Sequence, residues 1–176
     1  MIRVSIGFLT ALLLMVPAPE AAAQHPQVRD GFWIGFGFGY GSLGASDCDA
    51  CEREGGIAGV FRLGGKLSDR WLLGFESNAW IEEEFETTFT VGTSTATAYF
   101  YPNPAGGLHL KGGIGLGHVD IEDAGDDTGT GLVLGIAYDV RVGRNISIVP
   151  VASWFVADFD NGSLNVLQVG VGITFH

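Results

Sequence analysis

Phe32-Trp33-Ile34-Gly35-Phe36-Gly37-Phe38-Gly39-Tyr40-Gly41 alternates large apolar residues with glycine and one tryptophan. A period of two marks a β-strand, because successive side chains leave a strand on opposite faces. One face here is wholly apolar and the other is nearly bare. Leu167-Gln168-Val169-Gly170-Val171-Gly172-Ile173-Thr174-Phe175 repeats the pattern near the far end of the chain. Between them, the same alternation places strands at Ile57 to Leu67, Trp71 to Ile81, Leu108 to Gly117 and Gly131 to Arg141.

Two further strands are less regular. Val91 to Tyr101 is rich in threonine and ends in aromatics, and Ile146 to Phe159 is apolar on both faces and contains Pro150. A closed sheet has no free edge for a residue without an N–H, so Pro150 predicts a bulge or a late strand start. The total is eight strands. Short connections (Ser68 to Arg70, Pro102 to Ala105, Gly143 to Asn145) alternate with long ones (Leu43 to Gly55, Glu82 to Thr90, Asp120 to Thr128, Asp158 to Ser163). The expected fold is all-β: an eight-stranded antiparallel up-and-down transmembrane β-barrel, with short periplasmic turns and longer extracellular loops.

The sense of the barrel follows from the second face. A soluble barrel would show water a face of lysine, glutamate, threonine and serine. Glycine and alanine dominate instead, which suits the crowded inside of a small barrel. The apolar face is therefore assigned to lipid. Glycine inside leaves room for Trp33, Trp80 and the charged side chains on the same face.

Residues 1–23 have the build of a cleavable signal peptide: Arg3, an apolar run from Val4 to Val16, then Ala21-Ala22-Ala23. Thirteen apolar residues are too few to span a bilayer as a helix. A buried N-terminal helix is the alternative. Cleavage is expected before Gln24, leaving residues 24–176 as one barrel domain in an oxidising compartment. No cysteine follows the cut, so a lipid anchor is not expected.

Composition excludes other classes. Of 176 residues, 47% are hydrophobic and 16% charged, too apolar for a disordered chain. A net charge of −11 argues against nucleic acid, which needs a basic face. No residue pattern calls for a cofactor.

Charged residues on the glycine-rich face are the first candidate site. Centring the Ser68 to Arg70 turn on Asp69 sets Arg62 opposite Glu76. Centring the Asp120 to Thr128 loop near Gly125 sets Lys111 beside Asp139, with Arg141 on the same face. Buried charges need partners, so Arg62, Glu76, Lys111, Asp139 and Arg141 are expected to form a lumen salt-bridge network. Such a network plugs the interior or gates an ion path, and eight strands leave no wide channel.

The second candidate is the rim. The long connections carry fifteen acids (Asp47, Asp49, Glu52, Glu54, Glu82, Glu83, Glu84, Glu86, Asp120, Glu122, Asp123, Asp126, Asp127, Asp158, Asp160) against Arg53 alone. The opposite end holds Arg29, Lys66, Arg70, Arg141 and Arg144. Clustered carboxylates suit divalent cations, which could bridge to anionic headgroups, with Glu82, Glu83, Glu84, Glu86, Asp123, Asp126 and Asp127 as candidate ligands. A solvated, repulsive rim explains the same charges.

Cys48 and Cys51 form a C-x-x-C in the first long connection. A small structural disulfide is preferred over a zinc site, which wants more ligands, or a redox site, which wants a helix N-terminus. Gly39-Tyr40-Gly41-Ser42-Leu43-Gly44 matches a dinucleotide fingerprint but lacks the following helix that gives it meaning. His109 and His118 have no nucleophile at triad spacing, and His118 with Asp120 is a pairing that alternation produces by chance. Catalysis is not expected.

These features together resemble the small bacterial outer-membrane β-barrel proteins, such as the OmpA transmembrane domain and the OmpX- and OmpW-type barrels. Lys111-Gly112-Gly113-Ile114-Gly115-Leu116-Gly117 and Gly135-Ile136-Ala137-Tyr138-Asp139-Val140 look like the generic domain of that family. The resemblance covers essentially all of residues 24–176. It implies location in the bacterial outer membrane, contact with outer-membrane lipid, and handling by the barrel assembly machinery. That machinery reads a terminal aromatic with alternating apolar residues before it, which maps onto Val169, Val171, Ile173 and Phe175. Here Phe175 is penultimate and His176 last, a departure from the usual pattern. Family roles range over structural proteins, adhesins, narrow pores and a few lipid-modifying enzymes, whose catalytic motifs have no match here. The expected role is structural or surface-exposed, with a charge-plugged lumen and acidic outer loops. The alternatives are a narrow channel for small or apolar solutes and a surface adhesin.

Overall fold

The computed structural model describes residues 29–46, 52–84, 87–121 and 125–176. The proposed signal peptide and Cys48 and Cys51 lie outside the described residues. The strands are β1 (Phe32–Ala45), β2 (Glu54–Lys66), β3 (Trp71–Glu84), β4 (Thr87–Phe100), β5 (Leu108–Ile121), β6 (Gly125–Tyr138), β7 (Val140–Arg141), β8 (Ile146–Phe159) and β9 (Gly162–Phe175). Each pairs antiparallel with its neighbours, β1 joins β9, and β6 joins β8. The two-residue β7 prolongs β6 past Asp139, so the wall is a closed barrel of eight staves.

Pro150 causes that interruption, and neither expected consequence occurs. β8 begins four residues earlier, at Ile146, and its ladder with β9 runs unbroken through Pro150 and Val171. On the other side, Ala137 faces Val151 and Val140 faces Ile148, which is one continuous register with no residue inserted. Pairing simply lapses opposite the proline, which has no N–H to give.

The closed ladder fixes the barrel's shape. Paired residues lead from Ile34 to Leu63, Phe75, Ala96, Ile114, Leu132, Val156 and Asn165, and back to β1 at Gly44, ten residues above the start. Eight strands with that offset tilt by about 40°. Fourteen-residue strands so tilted stand about 35 Å tall. Outward apolar residues occupy roughly 25 Å of this, the height of a lipid-facing band. The band runs from Phe32, Trp71, Leu108 and Phe175 at one edge to Tyr40, Ile57, Leu116 and Leu167 at the other, all exposed.

Above that band the strands continue, further than alternation marks. Much of what the sequence leaves as connection is ladder: Glu82 pairs with Phe89, Asp120 with Asp126, and Val119 with Asp127. The apolar phase inverts there. Leu167, Val169, Val171, Ile173 and Phe175 point outward on β9, but Val166 is fully buried inside and Leu164 packs against it. Lipid no longer bathes the outer surface at this level, so polar residues face out and apolar ones turn in.

Candidate functional site

The interior is filled in three layers. Its middle is built on Glu76, which β3 directs inward and which is fully buried. Glu76 Oε1 accepts from Lys111 Nζ at 2.5 Å and from Asn78 Nδ2 at 3.0 Å, while Oε2 accepts from the Tyr99 hydroxyl at 2.9 Å. Asn78 carries the chain upward: its Oδ1 accepts from Gln168 Nε2 at 2.8 Å, which also donates to Ser153 Oγ. Five strands thus converge on one carboxylate and its neighbours.

The register sets Arg62 directly across the β2–β3 ladder from Glu76. The two do not pair. Arg62 Nη2 donates instead to Thr174 Oγ1 at 2.8 Å. Lys111 departs from its expected place as well. It lies opposite Gly135, not Asp139, because β5 and β6 meet at Ile121 and Gly125 and the turn centres two residues earlier than Gly125. Lys111 therefore reaches across the lumen to Glu76.

Asp139 anchors the lower layer, and one of its partners is Arg29, which precedes the first strand. Arg29 Nε donates to Asp139 Oδ2 at 3.3 Å, its other nitrogens donate to the carbonyls of Pro104 and Gly106, and its guanidinium lies 3.8 Å over the Tyr101 ring. The Tyr101 hydroxyl donates to Asp139 Oδ2 at 2.9 Å, and His109 Nδ1 stands 3.7 Å from Oδ1. Arg141 is buried at the same end, with Nη1 3.5 Å from the Arg144 carbonyl. His176 caps this mouth: its backbone N–H donates to Asn145 and its Nε2 sits 3.1 Å from Ser147 Oγ. Burial beside the Arg141 guanidinium pushes the His176 imidazole down to about 4.

The upper layer is apolar. Leu43, Trp80, Val91, Val133, Phe155, Ala157 and Val166 form one buried cluster, with Phe89, Val119, Phe159 and Leu164 packed against it. Trp80 also donates from Nε1 to the Gly41 carbonyl at 3.2 Å. A Cβ at Gly41 or Gly56 would run into the Trp80 ring, so these glycines make the space the indole fills. This plug was not legible in the sequence as a site. Its one signal was that Ile146 to Phe159 is apolar on both faces.

At the rim, Glu52, Glu54, Asp120, Asp126, Asp127, Asp158 and Asp160 are exposed, and Glu82 is half-buried. Glu86 and Asp123 fall outside the described residues, as do the side chains of Glu83 and Glu84. Among the described residues no group of three or more potential ligands is close enough to hold a metal ion. Arg53 serves as a strap there. It donates to Ser42 Oγ at 3.0 Å and Asn165 Oδ1 at 2.8 Å and also to the Ser42 carbonyl, tying the β2 entry to β1 and β9. His118 and Asp120 follow one another on the outer face of β5.

The fold is shared with solved outer-membrane proteins. Ail, the attachment invasion locus protein of Yersinia pestis, aligns with a TM-score of 0.56 at 19% identity, covering 83% of this chain and 99% of that one. A second Ail structure, in complex with the heparin analogue sucrose octasulfate, aligns with a TM-score of 0.52 at 19% identity, over the same shares of both chains. Neisserial surface protein A aligns with a TM-score of 0.63 at 12% identity, over 84% and 98%. The N-terminal β-barrel domain of Pseudomonas aeruginosa OprF gives 0.51 at 15%, over 84% and 98%. At such identities the likeness is one of fold. No curated protein matches the chain. The model of the outer membrane protein beta-barrel domain matches residues 8–175, so the chain belongs to the family of outer-membrane β-barrel proteins.

Proposed function

We propose that this protein is a non-catalytic, non-conducting outer-membrane barrel that presents an acidic rim at the cell surface. The observation that carries this reading is the double closure of the lumen. A hydrogen-bonded polar layer around Glu76 lies beneath a dry apolar plug around Trp80. An ion crossing the barrel would have to break the first and enter the second, where an unpaired charge costs several kcal/mol. The barrel wall that stands above the lipid band gives the rim its reach into the medium.

In this reading residues 1–23 direct export and are removed, and the barrel sits in outer-membrane lipid. Outward-facing Val169, Val171, Ile173 and Phe175 serve as the signal for the assembly machinery. The rim selects partners by charge. A polysulfated ligand of the kind solved on Ail would be repelled by the carboxylates around Arg53. Cationic partners are favoured, and divalent cations act as loosely held counterions that bridge to lipid headgroups, not as guests of a built site.

Planar-bilayer recording of the refolded protein tests the closure. The expected trace stays at the lipid baseline. Stable discrete conductance steps, reduced on replacing Glu76 or Lys111, would overturn the reading in favour of a narrow channel.

A further inference from the structure

We propose that the lower lumen binds one water molecule as a structural ligand, held by Arg62, Trp33 and His109. A cavity between the middle and lower layers is lined by these three residues with Tyr99, Asp139 and His176. It offers about 10 Å3 to the centre of a water molecule, which is room for one.

The lining carries polar atoms that no protein group satisfies. Among the described residues, Arg62 Nε, Trp33 Nε1, His109 Nε2 and His176 Nδ1 are buried without a hydrogen-bond partner. Arg62, Trp33 and His109 are 4%, 5% and 1% exposed. Arg62 Nε and Trp33 Nε1 can only donate. His109 Nδ1 stands 3.3 Å from the Gly107 carbonyl and 3.7 Å from Asp139 Oδ1. Both oxygens are acceptors, so in the neutral ring Nδ1 carries the proton and Nε2 accepts.

The guest must therefore accept two hydrogen bonds and donate one. Water does both, and three bonds are what a buried water usually makes. An anion could not donate to Nε2 and would meet the Asp139 carboxylate. A cation could not accept from Arg62 or Trp33. Dry, the cavity would leave all three nitrogens unpaired, each at the cost of its lost hydration. The water also gives Arg62 its place in the lower layer. Arg62 Nη2 donates to Thr174 Oγ1, and Glu76 across the ladder is engaged by Lys111, Asn78 and Tyr99. Through the water, Nε reaches the imidazole whose other nitrogen faces Asp139, so β2 is tied to β5 inside the barrel.

The test uses the refolded barrel in lipid nanodiscs, with isotope-labelled tryptophan and histidine. Magnetisation transfer between water and the Trp33 indole N–H should carry the sign of a water that tumbles with the protein. The Trp80 indole, which donates to Gly41 within the apolar plug, is the control and should show no transfer. The His109 nitrogen shifts should place the ring proton on Nδ1. A crystal grown in bromide should show one light-atom peak among the three nitrogens, without anomalous signal. Trp33→Phe keeps a ring and removes one donor, so it should lower the folding equilibrium constant about fivefold, the size of one hydrogen bond. No transfer to the Trp33 N–H would mean a dry cavity and overturn the proposal. A proton on His109 Nε2, or a bromide peak in the cavity, would overturn it equally, since the site would then lack its acceptor or hold an ion.

Discussion

Lys111 on β5 reaches past β4 to Glu76 on β3, with Nζ 2.5 Å from Oε1, both side chains essentially inaccessible. The pair joins strands that share no ladder. It can exist only because the barrel curves, and it ties two next-but-one staves through the interior. Glu76 also receives Asn78 and Tyr99, so one carboxylate draws together side chains of β3, β4 and β5.

Removing half of that pair should cost more than removing both. Glu76→Ala leaves the Lys111 ammonium buried without its carboxylate, and breaking a buried pair this way costs about 3–5 kcal/mol. Glu76→Gln with Lys111→Met keeps volume and removes both charges, so it should recover most of the loss. Urea unfolding from lipid vesicles, followed by tryptophan fluorescence, measures both. A double variant as unstable as Glu76→Ala would mean that the network contributes through shape, not charge.

The lipid band predicts an asymmetry between two sites on β6. Ile136 lies outward near the middle of the band and Asp126 lies on the rim. Ile136→Arg should cost about 2–4 kcal/mol, the penalty for arginine at the bilayer midplane. Asp126→Arg should be nearly neutral for folding. Heat-modified mobility in SDS gels and vesicle unfolding report both. Equal tolerance would place lipid on the wrong face.

These faces were legible because lipid enforces a strict rule. From Phe32 to Tyr40 and Leu167 to Phe175 every second residue must be apolar, whatever the interior does. The β2–β3 register, with Arg62 facing Glu76, was legible because the turn between Lys66 and Trp71 is short. The β5–β6 register was not, because no turn residue marks the centre of an acidic stretch, and a two-residue error there moved Lys111 to the wrong carboxylate. Contacts across the lumen cannot be read from alternation at all, since curvature decides them. Arg29 escaped for the same reason: it belongs to no strand, yet its guanidinium meets Asp139. The apolar plug escaped because the apolar phase inverts above the lipid.

Glycine on the inner face of β5 is predicted to be a packing requirement. A Cβ at Gly115 would strike the Ser94 carbonyl and the Thr95 backbone, neither of which can swing aside as a side chain would. Gly115→Leu should overpack the lumen and destabilise by about 1–3 kcal/mol or more. Gly59→Ala is the control, since nothing stands within 4 Å of its Cβ position. Parallel refolding yields and vesicle unfolding separate them. Equal behaviour would argue that the wall breathes enough to admit a side chain.

The lower mouth should make stability depend on pH through His176. Burial and the nearby Arg141 guanidinium lower its imidazole from 6.5 to about 4. The unfolded chain therefore binds a proton in the window between those values while the folded barrel does not, and stability falls as pH drops from about 6.5 to about 4. Above that window both forms are neutral and the group contributes no slope. His176→Asn keeps a polar partner for Ser147 and cannot titrate, so its unfolding midpoint should decline less steeply across the window than that of the parent. Carboxylates such as Glu76 and Asp139 are common to both proteins, and the difference between the two curves isolates the histidine. Superimposable curves from pH 7 to pH 4 would show that the imidazole is already solvated at the mouth, and the closure there would have to rest on the residues around Asp139.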